Sequence, residues 1–340
     1  MATSEVMVMQ HADSPQAAGG EFDRYWSADL VEELHSFGLI EVSGPDARTF
    51  LANLFTGDVR LISPELSQFT SWCDGKGRIM TTLWLFMRGD SFYVLLPKSL
   101  LPATLARMRQ FLLRSKATIT DASEELAIVG LSGPQIAKLA QSALGGELPA
   151  TRGATRSLGE CTIMALTDAP QPRWLLVGPS DEVAAIRARL PVEAPSAEPS
   201  VWSLLDILSG LPWLEAATST EFVPQMLNLE ALGGLCFTKG CYPGQEVVAR
   251  LHYRGQLKRR LYLAYLAAGE LPAPGSRLAG PATSESVGMV LASAKADAGR
   301  IALLAVIAIE HKEQGDIHLL DLTGPKLAFD EPFAAMPINP

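Results

Sequence analysis

The sequence predicts an α+β protein in which one unit, strand then helix then paired strands then helix, occurs twice and is followed by a small antiparallel β module. Three observations predict it. Two stretches open alike, a strand running into Ser-Gly-Pro; each leads through further strands into a Pro-initiated helix; and past Leu257 the pattern changes to short strands with no long helix.

Leu39 to Val42 alternates as a strand and runs into Ser43-Gly44-Pro45, where Ser43 can cap a helix carrying Phe50, Leu51 and Leu54. Trp72 to Ile79 sets two apolar strands around the turn Cys73-Asp74-Gly75-Lys76-Gly77-Arg78, the composition of a hairpin. Phe92 to Leu96 then enters a helix from Pro97 to Leu113, in which Leu101, Leu105, Met108 and Leu112 form an apolar stripe opposite Arg107, Arg109 and Arg114. Ile128 to Leu131 repeats the opening into Ser132-Gly133-Pro134, and Trp174 to Val177 repeats the close into a helix from Pro179 to Leu190. Pro191 to Ser200 reads as a linker. Leu261 to Leu266, Ser286 to Ala292, Ile301 to Ile307 and Ile317 to Leu320 are short strands between Pro/Gly turns, an antiparallel barrel or sandwich.

Bulk properties agree. With 340 residues the chain exceeds one ordinary core, and 48% hydrophobic with 19% charged is a globular balance. No run approaches eighteen uncharged apolar residues, and the start, with Glu5 and the polar Gln10 to Gly20, lacks the features of a signal peptide, so a cytoplasmic protein is expected. Four cysteines (Cys73, Cys161, Cys236, Cys241) make no disulfide framework in so long a chain. Net charge is −9, which opposes nucleic-acid or membrane binding by the protein as a whole. Locally the sign reverses: Lys239, Arg250, Arg254, Lys258, Arg259 and Arg260 against Glu246 alone leave +5 within 22 residues, a patch suited to a small anion.

That patch begins in the densest stretch of chemistry, Phe237-Thr-Lys-Gly-Cys-Tyr-Pro-Gly-Gln-Glu-Val-Val-Ala-Arg250. An isolated cysteine usually packs as a small hydrophobe. Cys241 is flanked by Gly240 and Gly244, which allow close backbone approach, and by Lys239 and Arg250, which favour a thiolate, so Cys241 is the expected functional thiol and Lys239 its companion. Cys236 and Cys241 without a His cluster or a Cys-x-x-Cys make no metal site. Glu246 is spaced to pair with Arg250 at i, i+4 if a helix begins near Pro243, and His252 reads as a surface or ligand-rim residue.

Val223-Pro224-Gln225, Asn228-Leu229, Ala231-Leu232-Gly233-Gly234, Lys239-Gly240-Cys241-Tyr242 and Gly244-Gln245-Glu246 together resemble the signature of the YgfZ family, folate-binding relatives of the glycine-cleavage T-protein. The Leu-Ile-Glu-Val-Ser-Gly-Pro opening, the Cys-Asp-Gly-Lys-Gly-Arg hairpin and Lys258 to Leu261 are similar to that family as well, so the likeness spans residues 28 to 330. It implies duplicated, T-protein-like α/β folate-binding domains (28–121 and 122–256, the second with the Lys-Gly-Cys-Tyr motif) and a C-terminal antiparallel β-barrel (257–340), after a flexible tail (1–27). The three are expected to ring a tetrahydrofolate site.

The resemblance also implies roles. Trp202 and Phe37 would sandwich the flat ring, Asp74 and Lys76 would point from the hairpin into the channel, Gln225, Asn228, Glu246 and Arg250 would line it, and Arg259 or Arg260 would meet the glutamate tail. The hairpin residues read equally as turn structure, and the two arginines as a solvated barrel edge. Two departures stand out. T-proteins follow their hairpin with an Asp-Asp pair where Thr81 and Thr82 stand here, and a hydroxyl titrates far too high to act as that acid's replacement. Leu208 stands where many relatives carry a Glu that grips the pterin. The implied function is a tetrahydrofolate-binding accessory protein, no classical enzyme, that serves iron–sulfur cluster assembly or repair. It would engage iron–sulfur enzymes transiently, those that modify tRNA among them, without itself touching nucleic acid or membrane. The alternatives are a folate-dependent aminomethyltransferase or demethylase with a shifted acid, and a thiol redox enzyme pairing Cys241 with Cys236 or Cys73.

Overall fold

In the computed structural model, which describes residues 29–329 apart from 134, 145, 168–170, 191–200, 268, 282 and 298, the chain forms three five-stranded antiparallel sheets. The expected tail at 1–27 and the linker at 191–200 lie outside the described residues. The first stretch carries β1 (Leu30–Glu33), β2 (Phe37–Ser43), α1 (Ala47–Ala52), β3 (Gln68–Cys73), β4 (Ile79–Arg88), β5 (Ser91–Pro97), α2 (Leu101–Phe111) and β6 (Thr118–Asp121). The second carries β7 (Leu126–Ser132), α3 (Ile136–Leu144), β8 (Thr155–Leu158), β9 (Cys161–Thr167), β10 (Arg173–Pro179), α4 (Ser180–Arg187), α5 (Val201–Leu208) and α6 (Gln245–Arg254). The third carries β11 (Arg259–Ala267), β12 (Arg277–Ala279), β13 (Gly288–Asp297), β14 (Arg300–Ala308), α7 (Ile309–Gln314) and β15 (His318–Leu319).

The repeat is visible in strand order. The first sheet runs β3-β4-β5-β2-β6 and the second β8-β9-β10-β7-β1, so four strands correspond one for one. The fifth does not. In the first sheet the edge beside β2 is filled by β6, which follows its own unit; in the second, the edge beside β7 is filled by β1, with Leu30 opposite Ser132 and Glu33 opposite Val129. Residues 30–33, expected with the first unit, therefore complete the second sheet; four residues with two apolar side chains carry no signal for which distant edge they join. A smaller correction concerns α1. Its N-cap is Asp46 rather than Ser43, and the Asp46 carboxylate accepts from the Lys116 amide at 2.7 Å instead of capping its own helix.

The third sheet, β11-β14-β13-β12-β15, curls with register shifts in β13 after Val290 and Lys295. The segment after β15 closes it: Lys326 bridges to His318 at one edge, and Ala328 exchanges two 2.8 Å hydrogen bonds with Tyr265 of β11 at the other. Period-2 alternation sorts its side chains. Ala264, Leu266, Leu303, Ala305 and Ile307 fill the interior of the curl, while Leu261, Leu263, Tyr265, Leu304 and Val306 face outward into a larger core. That core is common to all three sheets: it takes Leu39 and Leu95 from the first, Met164, Leu166, Leu175 and Val177 from one face of the second, and Leu204, Leu205 and Leu208 from α5. The other face of the second sheet, with Ile163, Trp174 and Leu176, is covered by α3 and α4. Helix α5 is buried nearly all round, as a helix wedged between sheets must be. Among the described residues no helix is long and apolar enough to cross a membrane.

Candidate functional site

The motif region is a loop built on backbone contacts. Pro224–Leu227 is a single 3-10 turn that ends at Asn228 in a left-handed conformation (φ 57°), which Asn tolerates better than most side chains. Asn228 donates from Nδ2 to the Leu261 carbonyl at 3.2 Å, tying the loop to β11, and Gln225 donates from Nε2 to the Val248 carbonyl at 2.8 Å, tying it to α6. Farther along, the Gly234 carbonyl accepts from the hydroxyls of Thr56 (2.8 Å) and Thr70 (2.9 Å). Gln225 and Asn228, expected to line a ligand, thus use their amide donors to hold the loop.

Gly244 precedes α6 with φ 77°, and a Cβ there would meet the Gly77 backbone and the Asp74 carbonyl at 2.5 Å. The partner of the motif glycine is therefore the hairpin glycine: two Gly-rich turns from different units dock backbone to backbone. Within the hairpin, Asp74 accepts from the amides of Lys76 (2.8 Å) and Arg78 (2.9 Å), so its carboxylate closes the turn rather than facing a channel. Lys76 is exposed, and Arg78 donates to the Glu221 carbonyl at 2.5 Å.

Cys241 and Lys239 part company. Cys241 is exposed beside an open Gly240, whereas Lys239 is buried, donates from Nζ to the Ala52 carbonyl at 2.5 Å and lies 5.0 Å from the centre of the Tyr242 ring. No hydrogen bond joins the two side chains, because the Lys239 ammonium is directed at the Ala52 carbonyl and the Tyr242 ring. Burial instead lowers the Lys239 ammonium to about 8, opposed by Asp58. Tyr242 is buried with its hydroxyl unpartnered, and burial pushes its phenol up. Cys73 is sealed in the core with its thiol pushed up to about 12 by burial, which removes it as a redox partner; Cys236 is half-buried with Sγ 3.5 Å from the Thr238 hydroxyl. Glu246 and Arg250 are both exposed and form no ion pair with one another. Arg259 donates to the Ser286 carbonyl at 3.1 Å, and Arg260, its neighbour on β11, points to the opposite face of the strand, so only one of the two can meet a given ligand.

The aromatic sandwich expected of Phe37 and Trp202 is not formed. Trp202 is 2% exposed, seated on Gly130, where a Cβ would come within 2.4 Å of the indole, and lies under the Arg173 guanidinium at 4.9 Å. Phe37 meets Trp213 instead, edge-on at 4.8 Å, and Trp213 meets Phe69 in the same way at 5.0 Å. Sequence reasoning missed Trp213, and it missed the buried group beneath α5. There Arg173 donates to Asp206 at 2.7 Å and to the Ser209 hydroxyl at 2.6 Å, and burial raises the Asp206 carboxyl to about 6 against the pull of Arg173. The signal was available, since a lone carboxylate in Leu204-Leu-Asp-Ile-Leu208 needs a buried cation. Leu208, where the resemblance expects a pterin-gripping Glu, is in the core. Thr81 and Thr82 are fully buried: Thr81 donates to the Thr82 carbonyl at 2.9 Å, while Thr82 donates to the Pro212 carbonyl at 2.8 Å and accepts from the Leu214 amide at 3.0 Å.

Known proteins place this arrangement. The chain is 33% identical over 300 residues to the tRNA-modifying protein YgfZ of Colwellia psychrerythraea, covering 85% of this chain and 87% of that protein. The chain belongs to the YgfZ family. The YgfZ protein of Yersinia pseudotuberculosis is 34% identical over 72% of this chain and 73% of its own length. The GCVT N-terminal domain family matches residues 15–166. The crystal structure of the glycine cleavage system aminomethyltransferase T from Bartonella henselae superposes with a TM-score of 0.72 at 15% identity, over 92% of this chain and 88% of that one. This chain thus shares the fold of that aminomethyltransferase, and its threonines at 81 and 82 have both hydroxyls engaged by the backbone.

Proposed function

We propose that this protein is a cytoplasmic, folate-binding accessory factor that supports assembly or repair of iron–sulfur enzymes, among them enzymes that modify tRNA, and that it does not turn over as an aminomethyltransferase. The observation that carries the reading is the state of Thr81 and Thr82. The resemblance assigns these positions to the transfer acid of T-proteins, and here both are buried with their hydroxyls committed to carbonyls and an amide, so neither can relay a proton to a ligand.

The residues present fit a pterin, with a changed set of contacts. The Phe37–Trp213 pair is partly exposed and supplies an aromatic wall. When bound, tetrahydrofolate would supply a carrier for a one-carbon unit. The chain's own contribution would be to orient the ring against Trp213, to exclude water with the packed α5 and to present Cys241 at the surface to a partner protein.

Calorimetric titration with tetrahydrofolate and its 5-formyl form tests the binding, with Trp213→Ala expected to weaken it by at least tenfold. Equal affinity in that variant removes Trp213 from the pose, and no heat with either folate removes the ligand. In a deletion strain, Cys241→Ala is expected to fail to restore iron–sulfur enzyme activity; full restoration makes the thiol structural. Formation of methylene-tetrahydrofolate from sarcosine in the presence of the protein would revive the transferase reading.

A further inference from the structure

We propose that the exposed C-terminal half of α6 binds a single-stranded segment of nucleic acid, stacking an unpaired base on Tyr253 and taking the flanking phosphates on Arg250 and Arg254. The site shares Arg250 with the residues the resemblance expects along a folate channel, but its stacking on Tyr253 does not require a bound folate.

The ring is held in place before any ligand arrives. His252 stacks on Phe237 with centroids 4.0 Å apart and planes 22° apart, and its Nδ1 lies 3.0 Å from Glu230. Tyr253 then sets its ring against His252 at 4.7 Å and 84° and against Phe237 at 6.0 Å and 63°. Those contacts fix the plane of Tyr253 while leaving it 67% exposed, the most exposed aromatic side chain among the described residues. A large apolar ring left in water and yet immobilised is a stacking surface whose ordering cost is already met.

The cations are placed to match. Arg250, Tyr253 and Arg254 stand at i, i+3 and i+4 of one helix and so share a face. Both arginines are exposed and make no ion pair or hydrogen bond among the described residues, in a chain whose net charge is −9. These two, with Lys258 just beyond the helix and Glu246 one turn earlier as the carboxylate on the same helix, form a local positive field around a bare ring. An acidic peptide would use the charges but has no call on a fixed, flat, open ring, whereas a nucleic acid strand brings a base and a phosphate together in every residue. The expectation that the chain avoids nucleic acid, drawn from its net charge, averages over this patch.

The test is fluorescence anisotropy of a labelled oligouridine of about 12 nucleotides, with oligothymidine and oligoglutamate of the same length beside it, on the full chain at fixed salt. Tyr253→Ala is expected to raise the Kd for the oligonucleotide about 5- to 100-fold, with Tyr253→Phe close to wild type. Arg250→Ala with Arg254→Ala is expected to flatten the slope of log K against log salt by about 1.4. The ratio of oligouridine to oligothymidine affinity identifies RNA or DNA as the source. Equal binding by wild type and Tyr253→Ala, no binding of either oligonucleotide, or oligoglutamate binding as tight as oligouridine overturns the proposal, the last in favour of an acidic protein partner. None of these outcomes bears on folate calorimetry.

Discussion

Lys239 is a cation that burial pushes toward its neutral form. Its folded pKa falls from 10.5 to about 8, so the folded protein binds this proton less well than the unfolded chain does. The sign follows: the contribution of Lys239 to stability is complete above 10.5 and is lost as pH falls through about 8. A heteronuclear NMR titration that follows the Lys239 side-chain Cε should therefore show a midpoint near pH 8, and a midpoint above 10 would contradict its burial. Thiols divide as sharply. A disulfide reagent should reach the exposed Cys241 in native protein but Cys73 and Cys161, pushed up to about 12 and about 11, only after unfolding. Asp206→Ala leaves Arg173 buried and unpaired and should cost about 3–5 kcal/mol in denaturant unfolding, more than an apolar replacement of both partners. At this scale the sequence was legible where a residue's own surroundings are local, as for the exposed Cys241. It was not legible where the partner is remote: nothing near Lys239 announces the Ala52 carbonyl, and nothing near Phe37 announces Trp213.

Helices and strands were easier to read than the joints between them. The apolar stripe of α2, the Cys73 to Ile79 hairpin and the start of α6 near Pro243 all follow from local periodicity and turn chemistry. Docking of the hairpin on the motif loop does not, because backbone-to-backbone contact at Gly77 and Gly244 has no side-chain pattern to betray it. The contrast between two neighbouring glycines makes the point testable. Gly244→Ala places a Cβ 2.5 Å from the hairpin backbone at positive φ and should lower stability by about 1–3 kcal/mol, whereas Gly240→Ala, with open space around it, should stay within about 0.5 kcal/mol. Thermal unfolding of the two variants side by side decides it; equal melting would mean that the turns do not dock.

Across the whole molecule, three sheets share one core, and the duplication seen in the sequence is the reason two of them match. The unit boundaries suggested by pattern divide the chain more cleanly than the packing does. Leu261, Leu263, Leu304 and Val306 of the third sheet meet α5 and the first sheet in one cluster. A fragment ending before β11 would leave that face in water, and it should aggregate or bind a hydrophobic dye on size-exclusion analysis; a soluble, cooperatively melting fragment would show that the first two units close without the third.

The placement of β1 also bears on how the chain is made. Residues 30–33 find their neighbour only in residues 126–132, so on the ribosome that strand is left waiting for roughly 5–20 seconds at ordinary rates of synthesis. Through that interval an apolar Leu-Val pair has no edge to join. The second unit, in turn, cannot finish until it recovers a piece made before the first, which obliges the two copies to mature together rather than one after the other.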